Sequence, residues 1–165
     1  MNAFPDAPFG PIDRIELDAV PLAVIRHKGI RLPDIQAAFD AGYAAIALHF
    51  AGGALTPTGP ALAVYHGDPM GAFDLELGFP VETVPENPIP TASGTVIVAS
   101  ALPAGPAVAT TLFGSYEELG AAWAGLVARA GAEGVHPGGM WIEVYVSDPS
   151  TTPAELRTDL LMPIG

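Results

Sequence analysis

The chain contains no cysteine and a single lysine, Lys28. Without cysteine there can be no disulfides, no thiolate metal centres and no cysteine nucleophile. Lysine and arginine together number 6 against 18 acids, a formal net charge of −12. Phosphate recognition needs clustered cations, so direct nucleic-acid binding is excluded, and an anionic membrane surface would repel the chain. Residues 95–114 carry no charge, but Pro103, Gly105 and Pro106 break that run, which reads as two strands and a turn instead of a membrane span. The opening MNAFPDAPFGPIDR has no basic region followed by an apolar core, so no secretory signal is expected and a soluble, cytoplasmic protein is.

Other chemistries are missing too. His27, His49, His66 and His136 lie in different elements without metal-ligand spacing, so neither a metal nor a cofactor is expected. No G-x-S-x-G elbow occurs, and the glycine pairs 52–53 and 138–139 lack the phosphate-loop pattern. What is present is half hydrophobic over 165 residues, enough for one domain, residues 1–165, with a real core. The 19 glycines and 18 prolines punctuate apolar runs without forming a low-complexity period.

The chain states one arrangement twice. A β-rich run over 12–30 is followed by a helix carrying Ile35, Phe39, Tyr43, Ile46 and Phe50 at helical spacing, with Pro33 suited to its first turn and Gly52-Gly53 ending it. PALAVYHGDP (60–69) and FDLELGFPV (73–81) then read as two strands. After a proline-rich link at 85–90, strands flank the LPAG turn within 94–113. Ser115 and Glu118 have capping-box spacing ahead of a helix with Leu119, Trp123, Leu126, Val127 and Ala130 on one side. MWIEVYVSDP (140–149) and ELRTDLLMPI (155–164) close the chain as strands. Tyr65 answers Tyr145 and Pro80 answers Pro163. Two βαββ repeats, about 12–84 and 94–165, predict a pseudo-twofold α+β domain of antiparallel sheets. Two helices would cover one face, and a ligand groove would lie between the halves.

The most pointed stretch is WIEVY. Alternation places Trp141, Glu143 and Tyr145 on one face, opposite apolar Ile142 and Val144. A carboxylate between two large rings offers charge pairing and cation–π contacts of about 0.5–2 kcal/mol each to a bulky aromatic cation. In a dry surrounding the same acid suits general acid–base work. The competing reading is a half-exposed strand glutamate paired with Arg157 or with water. Glu76, beside Asp74 on the polar face of FDLELGFPV, is a second candidate, against the alternative of a merely solvated strand. Tyr65 and Phe113 are candidate groove residues. His66 and Asp68 read as turn chemistry, Trp123 as core, and Ser115 as a helix cap.

Taken in order, YHGDP, DLELGFPV, LPAG, TLFGSYEEL, WIEVYVSDP and ELRTDLLMPI resemble the GyrI-like small-molecule-binding domain over about residues 12–164. That domain also serves as the effector-binding module of AraC- and MerR-type transcription regulators. The resemblance implies the duplicated βαββ fold, a groove for bulky aromatic or cationic compounds, and a strand glutamate at the pocket floor, here Glu143. It also implies a glutamate at the position of Glu76; with Trp141 and Tyr145 from the alternation, Tyr65 from the internal symmetry and Phe113 from its position, these are the expected ligand contacts. No helix-turn-helix segment precedes the domain, so the likeness is to stand-alone members, and Thr111 stands where many relatives carry histidine. Three functions follow as expectations. The first is binding of a hydrophobic small molecule for sensing, sequestration or drug tolerance. The second is a cofactor-free hydrolase opening cyclopropane-bearing DNA-alkylating natural products, with Glu143 as general base and Tyr145 assisting. The third is an acidic protein-interaction module that inhibits a nucleic-acid enzyme such as gyrase.

Overall fold

The structure, a computed structural model, describes residues 4–67, 73–92, 94–147 and 151–164, apart from the side chains of Leu32 and Gln36. Asp68, read above as turn chemistry, and Pro69, Asp148 and Pro149, at the ends of the stretches 60–69 and 140–149 read as strands, lie outside the described residues. Alternating apolar residues make the strands, and the helices fall where apolar residues recur every three or four positions. First come β1 (Asp13–Leu17), β2 (Val20–Ile30), α1 (Ile35–Ala51), β3 (Leu62–Gly67) and β4 (Phe73–Pro80). Then follow β5 (Ile89–Pro90), β6 (Val96–Leu102), β7 (Gly105–Phe113), α2 (Leu119–Ala132), β8 (Met140–Tyr145) and β9 (Arg157–Pro163). The fold is α+β with antiparallel sheets, and the strand–helix–strand–strand order occurs twice.

The compact units do not follow the linear repeat. One is continuous, residues 19–103, and the other is split, residues 1–18 with 104–165. In the continuous unit the strand order is β3-β4-β2-β6-β5; in the split unit it is β1-β7-β9-β8. So β1 and β2, two residues apart, enter different units, and so do β6 and β7 on either side of the LPAG turn. Each repeat supplies its first strand to the unit built mainly from the other.

Each unit buries one sheet face beneath its own helix. In the continuous unit Ile46 of α1 packs on Ala23, Ile25 and Ile97 with Leu55 and Val81. In the split unit Leu126 and Ala130 of α2 pack on Val108, Leu160 and Met162. α1 ends as its sequence directs: Gly53 adopts φ +77°, a left-handed conformation open to glycine, and its amide donates to the Phe50 carbonyl. α2 begins differently from expectation. Tyr116–Glu118 form a short 3-10 turn, and the Ser115 side chain makes no capping hydrogen bond, so the capping box is not realised.

The N-terminal arm is fastened to the split unit by a buried ion pair. Arg157 meets Asp159 through two hydrogen bonds of 3.0 and 2.9 Å, and Asp159 is wholly buried. The same guanidinium donates to the carbonyls of Pro5, Asp6 and Ala7. Thr111 donates to Asp159 and accepts from the Phe9 amide, so its hydroxyl links arm and ion pair.

Gly78 on β4 is required for a different reason from Gly53. A Cβ there would overlap the Ala23 carbonyl oxygen on β2 and press on Val24 Cγ1 at 2.7 Å. The paired strands therefore approach more closely than any side chain permits. Gly78→Ala is expected to destabilise the fold by about 1–3 kcal/mol through overpacking, read as a lowered denaturation midpoint at unchanged slope.

Candidate functional site

Residues of β8 and α2 build the site. On β8, Trp141, Glu143 and Tyr145 do share a face, and it is the face α2 covers; Ile142 and Val144 are buried on the other side. Glu143 is therefore not a half-exposed strand residue but 4% exposed. A buried carboxylate needs donors in place of water. Trp123 Nε1 donates to Oε2 at 2.8 Å, and the Tyr145 hydroxyl donates to Oε1 at 2.7 Å. Both donors are neutral. Arg157, the partner expected on the simpler reading, is committed to Asp159 and the arm.

Four rings surround the acid in two edge-to-face pairs. Trp123 meets Trp141 with centroids 5.3 Å apart, and Tyr116 meets Tyr145 at 5.8 Å. Tyr116 is 43% exposed and forms the open side. Burial raises the pKa of its hydroxyl, and the nearby charge of Glu143 raises it further. Trp123 is thus more than a core residue: its ring packs in the apolar cluster while its N–H holds the acid. Helical spacing alone could not show this, because the spacing of a core tryptophan and of a tryptophan reaching an acid is the same.

The duplicate half acts as an internal control. Tyr65 on β3 corresponds to Tyr145, 80 positions later, and Gly53 after α1 corresponds to Gly134 after α2, both with positive φ. By those offsets Glu143 answers to Ala63 and Trp123 to Gly42. Gly42 is a close-contact point, where an added Cβ would already sit 3.4 Å from Leu77 Cδ1. In the continuous unit helix and sheet close on each other through small residues; in the split unit an indole and a carboxylate fill that place.

The other predicted residues each belong to one unit. Tyr65, in the continuous unit, is buried with its ring tilted on Phe73 at 5.3 Å. Phe113, at the end of β7 in the split unit, is 57% exposed. Glu76 is on the face of the continuous unit away from α1, where Ser100 donates to it at 2.5 Å, Arg26 at 3.3 Å, and His66 Nε2 lies 2.7 Å away. His66 is therefore a strand residue paired with an acid, not a turn residue. An open hollow of about 470 Å³ in the same unit is lined by Val84, Pro85, Pro88 and Ile89, with Glu86 its sole titratable group. Among the described residues no three metal-ligating side chains converge, and no helix is long and apolar enough to cross a membrane.

Residues 10–165 match the sequence profile of the GyrI-like small molecule binding domain, so the chain belongs to that family and is a small-molecule-binding domain. Among curated proteins no sequence matches. Solved structures share the fold at low identity. The C-terminal domain of EcmrR is 18% identical with a TM-score of 0.73, the likeness covering 93% of this chain and 96% of that one. A hydrolase of Listeria innocua is 17% identical, TM-score 0.66, over 97% and 94% of the two chains. SAV2435, solved bound to tetraphenylphosphonium, is 12% identical, TM-score 0.62, over 93% of each.

The Glu76 cluster yields a pH prediction. Burial works to raise the pKa of Glu76, but hydrogen bonds from Ser100 and His66 and the charges of His66 and Arg26 outweigh it and lower the pKa. A carboxyl with a depressed folded-state pKa stabilises the protein above its unfolded pKa, and that contribution is lost as pH falls through the folded value. Glu76→Gln is therefore expected to melt below the parent at pH 7, with the gap narrowing as pH drops below about 4; a gap constant with pH would contradict the shift.

Proposed function

We propose that this member of the GyrI-like family binds a bulky aromatic, preferentially cationic, small molecule at the Glu143 site. Glu143 is the polar anchor, and Trp141, Tyr145, Trp123 and Tyr116 are the walls. The observation that carries this reading is a carboxylate shut away from water, held by an indole N–H and a phenol, with two edge-to-face ring pairs around it. Such a group is costly to bury for stability alone, since hydrophobic residues of similar volume pack there at no electrostatic cost. A bulky aromatic cation recovers the desolvation through charge pairing and through cation–π contacts worth about 0.5–2 kcal/mol per ring. Because Glu143 is only 4% exposed, entry displaces a wall. Tyr116, on a three-residue turn and the most exposed of the four rings, is the one to move. SAV2435, a protein of the same fold, bound to tetraphenylphosphonium supports the choice of ligand class. Sensing or sequestration of such compounds is the biological role that fits.

Tetraphenylphosphonium is the direct probe. Calorimetric titration is expected to show binding to the parent and at least tenfold weaker binding to Glu143→Gln, about 1.4 kcal/mol. Equal affinity in the two proteins would remove Glu143 from the site.

A second reading is favoured by the 2.7 Å phenol–carboxylate contact. Here Glu143 takes a proton from water, whose oxygen attacks a strained cyclopropane carbon. The ring C–C bond breaks, its electron pair passes into a conjugated carbonyl, and Tyr145 returns a proton. One placed base of this kind contributes about 10²–10⁴-fold. Incubation with a cyclopropane-bearing alkylating compound is expected to give the hydrated, ring-opened product by mass spectrometry, and Glu143→Gln to abolish it. Turnover surviving that substitution would eliminate the mechanism.

A further inference from the structure

Among the described residues two buried side-chain polar atoms have no hydrogen-bond partner, His27 Nε2 and Thr158 Oγ1. The two are not equivalent. Burial lowers the pKa of His27, disfavouring the charged form of its ring. A threonine hydroxyl has no such escape. Thr158 is 0% exposed on β9, and its unpaired hydroxyl carries the full cost of desolvation.

Its position is specific. Thr158 lies directly opposite Tyr145 in the β8–β9 register, and the next pair on the same face is Glu143 with Leu160. Side chains opposed across antiparallel strands project to the same side, and diagonal neighbours remain within reach of one another. The orphaned hydroxyl therefore belongs to the face that carries the acid, Tyr145 and α2. The duplicate half again supplies the comparison. In the β3–β4 register Tyr65 opposes Leu75, and Ala63 opposes Leu77. Where the continuous unit has buried Leu75 and Ala63, the split unit has Thr158 and Glu143. Apolar residues fill these two positions in one half, and in the other the two diagonal positions carry a hydroxyl and a carboxylate.

We propose that Thr158 is a specificity-determining contact of the Glu143 site, hydrogen-bonding a neutral hydroxyl or carbonyl of the bound molecule. The domain then selects aromatic compounds that carry such a group over bare hydrophobic cations. This rests on the ligand-binding reading of Glu143 and extends it: the acid and rings recognise the aromatic cation, and the threonine recognises a polar substituent. The arrangement also accounts for leaving a hydroxyl unpaired in the empty protein, since a partner delivered by the ligand gains a hydrogen bond at a group already stripped of water.

The test uses two probes that differ by one hydroxyl, tetraphenylphosphonium and (4-hydroxyphenyl)triphenylphosphonium, against the full chain, Glu143→Gln and Thr158→Val. The parent is expected to bind the hydroxylated probe about tenfold more tightly, as one hydrogen bond to a buried group allows. Thr158→Val, nearly isosteric, is expected to erase that preference, so that the two probes bind it alike. Its Tm is expected to hold or rise, because no hydrogen bond is lost. A parent without preference, a preference that survives in Thr158→Val, or a Tm lowered by several degrees would each overturn the assignment. Glu143→Gln separates the two levels. If it weakens both probes while Thr158→Val changes nothing, only the role of Thr158 falls; if it weakens neither, the binding reading falls and takes this inference with it.

Discussion

A carboxylate removed from water must be solvated by the protein, and the split unit is organised around two such groups. Asp159 and Glu143 stand on opposite faces of adjacent strands, both essentially buried. They are satisfied in contrasting ways. Asp159 has a fork-to-fork pairing with Arg157, reinforced by Thr111, and that ion pair in turn fixes the N-terminal arm. Glu143 has an indole N–H and a phenol. A bidentate ion pair is a closed arrangement, and breaking it by removing one partner is commonly worth about 3–5 kcal/mol. Both of these donors are neutral groups, unlike the guanidinium at Asp159. The first acid holds structure; the second is the one we propose as the anchor for a ligand.

Duplication explains how a fold can accommodate that second acid. Both units solve the same packing problem, a helix laid across one sheet face, yet with different side chains at matched positions. Gly42, Ala63 and Leu75 close the continuous unit by contact alone. Trp123, Glu143 and Thr158 occupy the same places in the split unit and bring an N–H, a carboxylate and a hydroxyl beneath α2. One copy preserves the packing solution while the other departs from it. At these matched positions the polar groups fall in one half, even though the backbone plan is shared.

Much of this was readable in advance because it depends on local periodicity. The alternation in WIEVY put Trp141, Glu143 and Tyr145 on a common face, and the landmarks Tyr65/Tyr145 and Pro80/Pro163 revealed the duplication. What escaped depends on partners distant in sequence. Trp123 had the spacing of a core residue, and only its distance to Glu143 distinguishes the two roles. His66 preceded a Gly-Asp-Pro turn and read as part of it, although its ring pairs with Glu76 from the adjacent strand. Ser115 and Glu118 had the spacing of a capping box, but a 3-10 turn occupies the helix start and no side-chain cap forms. Nor does an apolar alternation state which strand a given strand will join, so the crossing of β1 and β6 into the opposite units was invisible.

That crossing has a consequence for the dissection of the chain. A polypeptide carrying a single repeat would hold β2, α1, β3 and β4 but would lack β6, the strand that lies beside β2. Its own leading strand, β1, is complementary to a copy of β7 instead. Two identical half-length chains could meet both needs only by trading leading strands. Joining two such repeats in one chain makes that exchange intramolecular and leaves the matched positions free to differ, as Ala63 and Glu143 do.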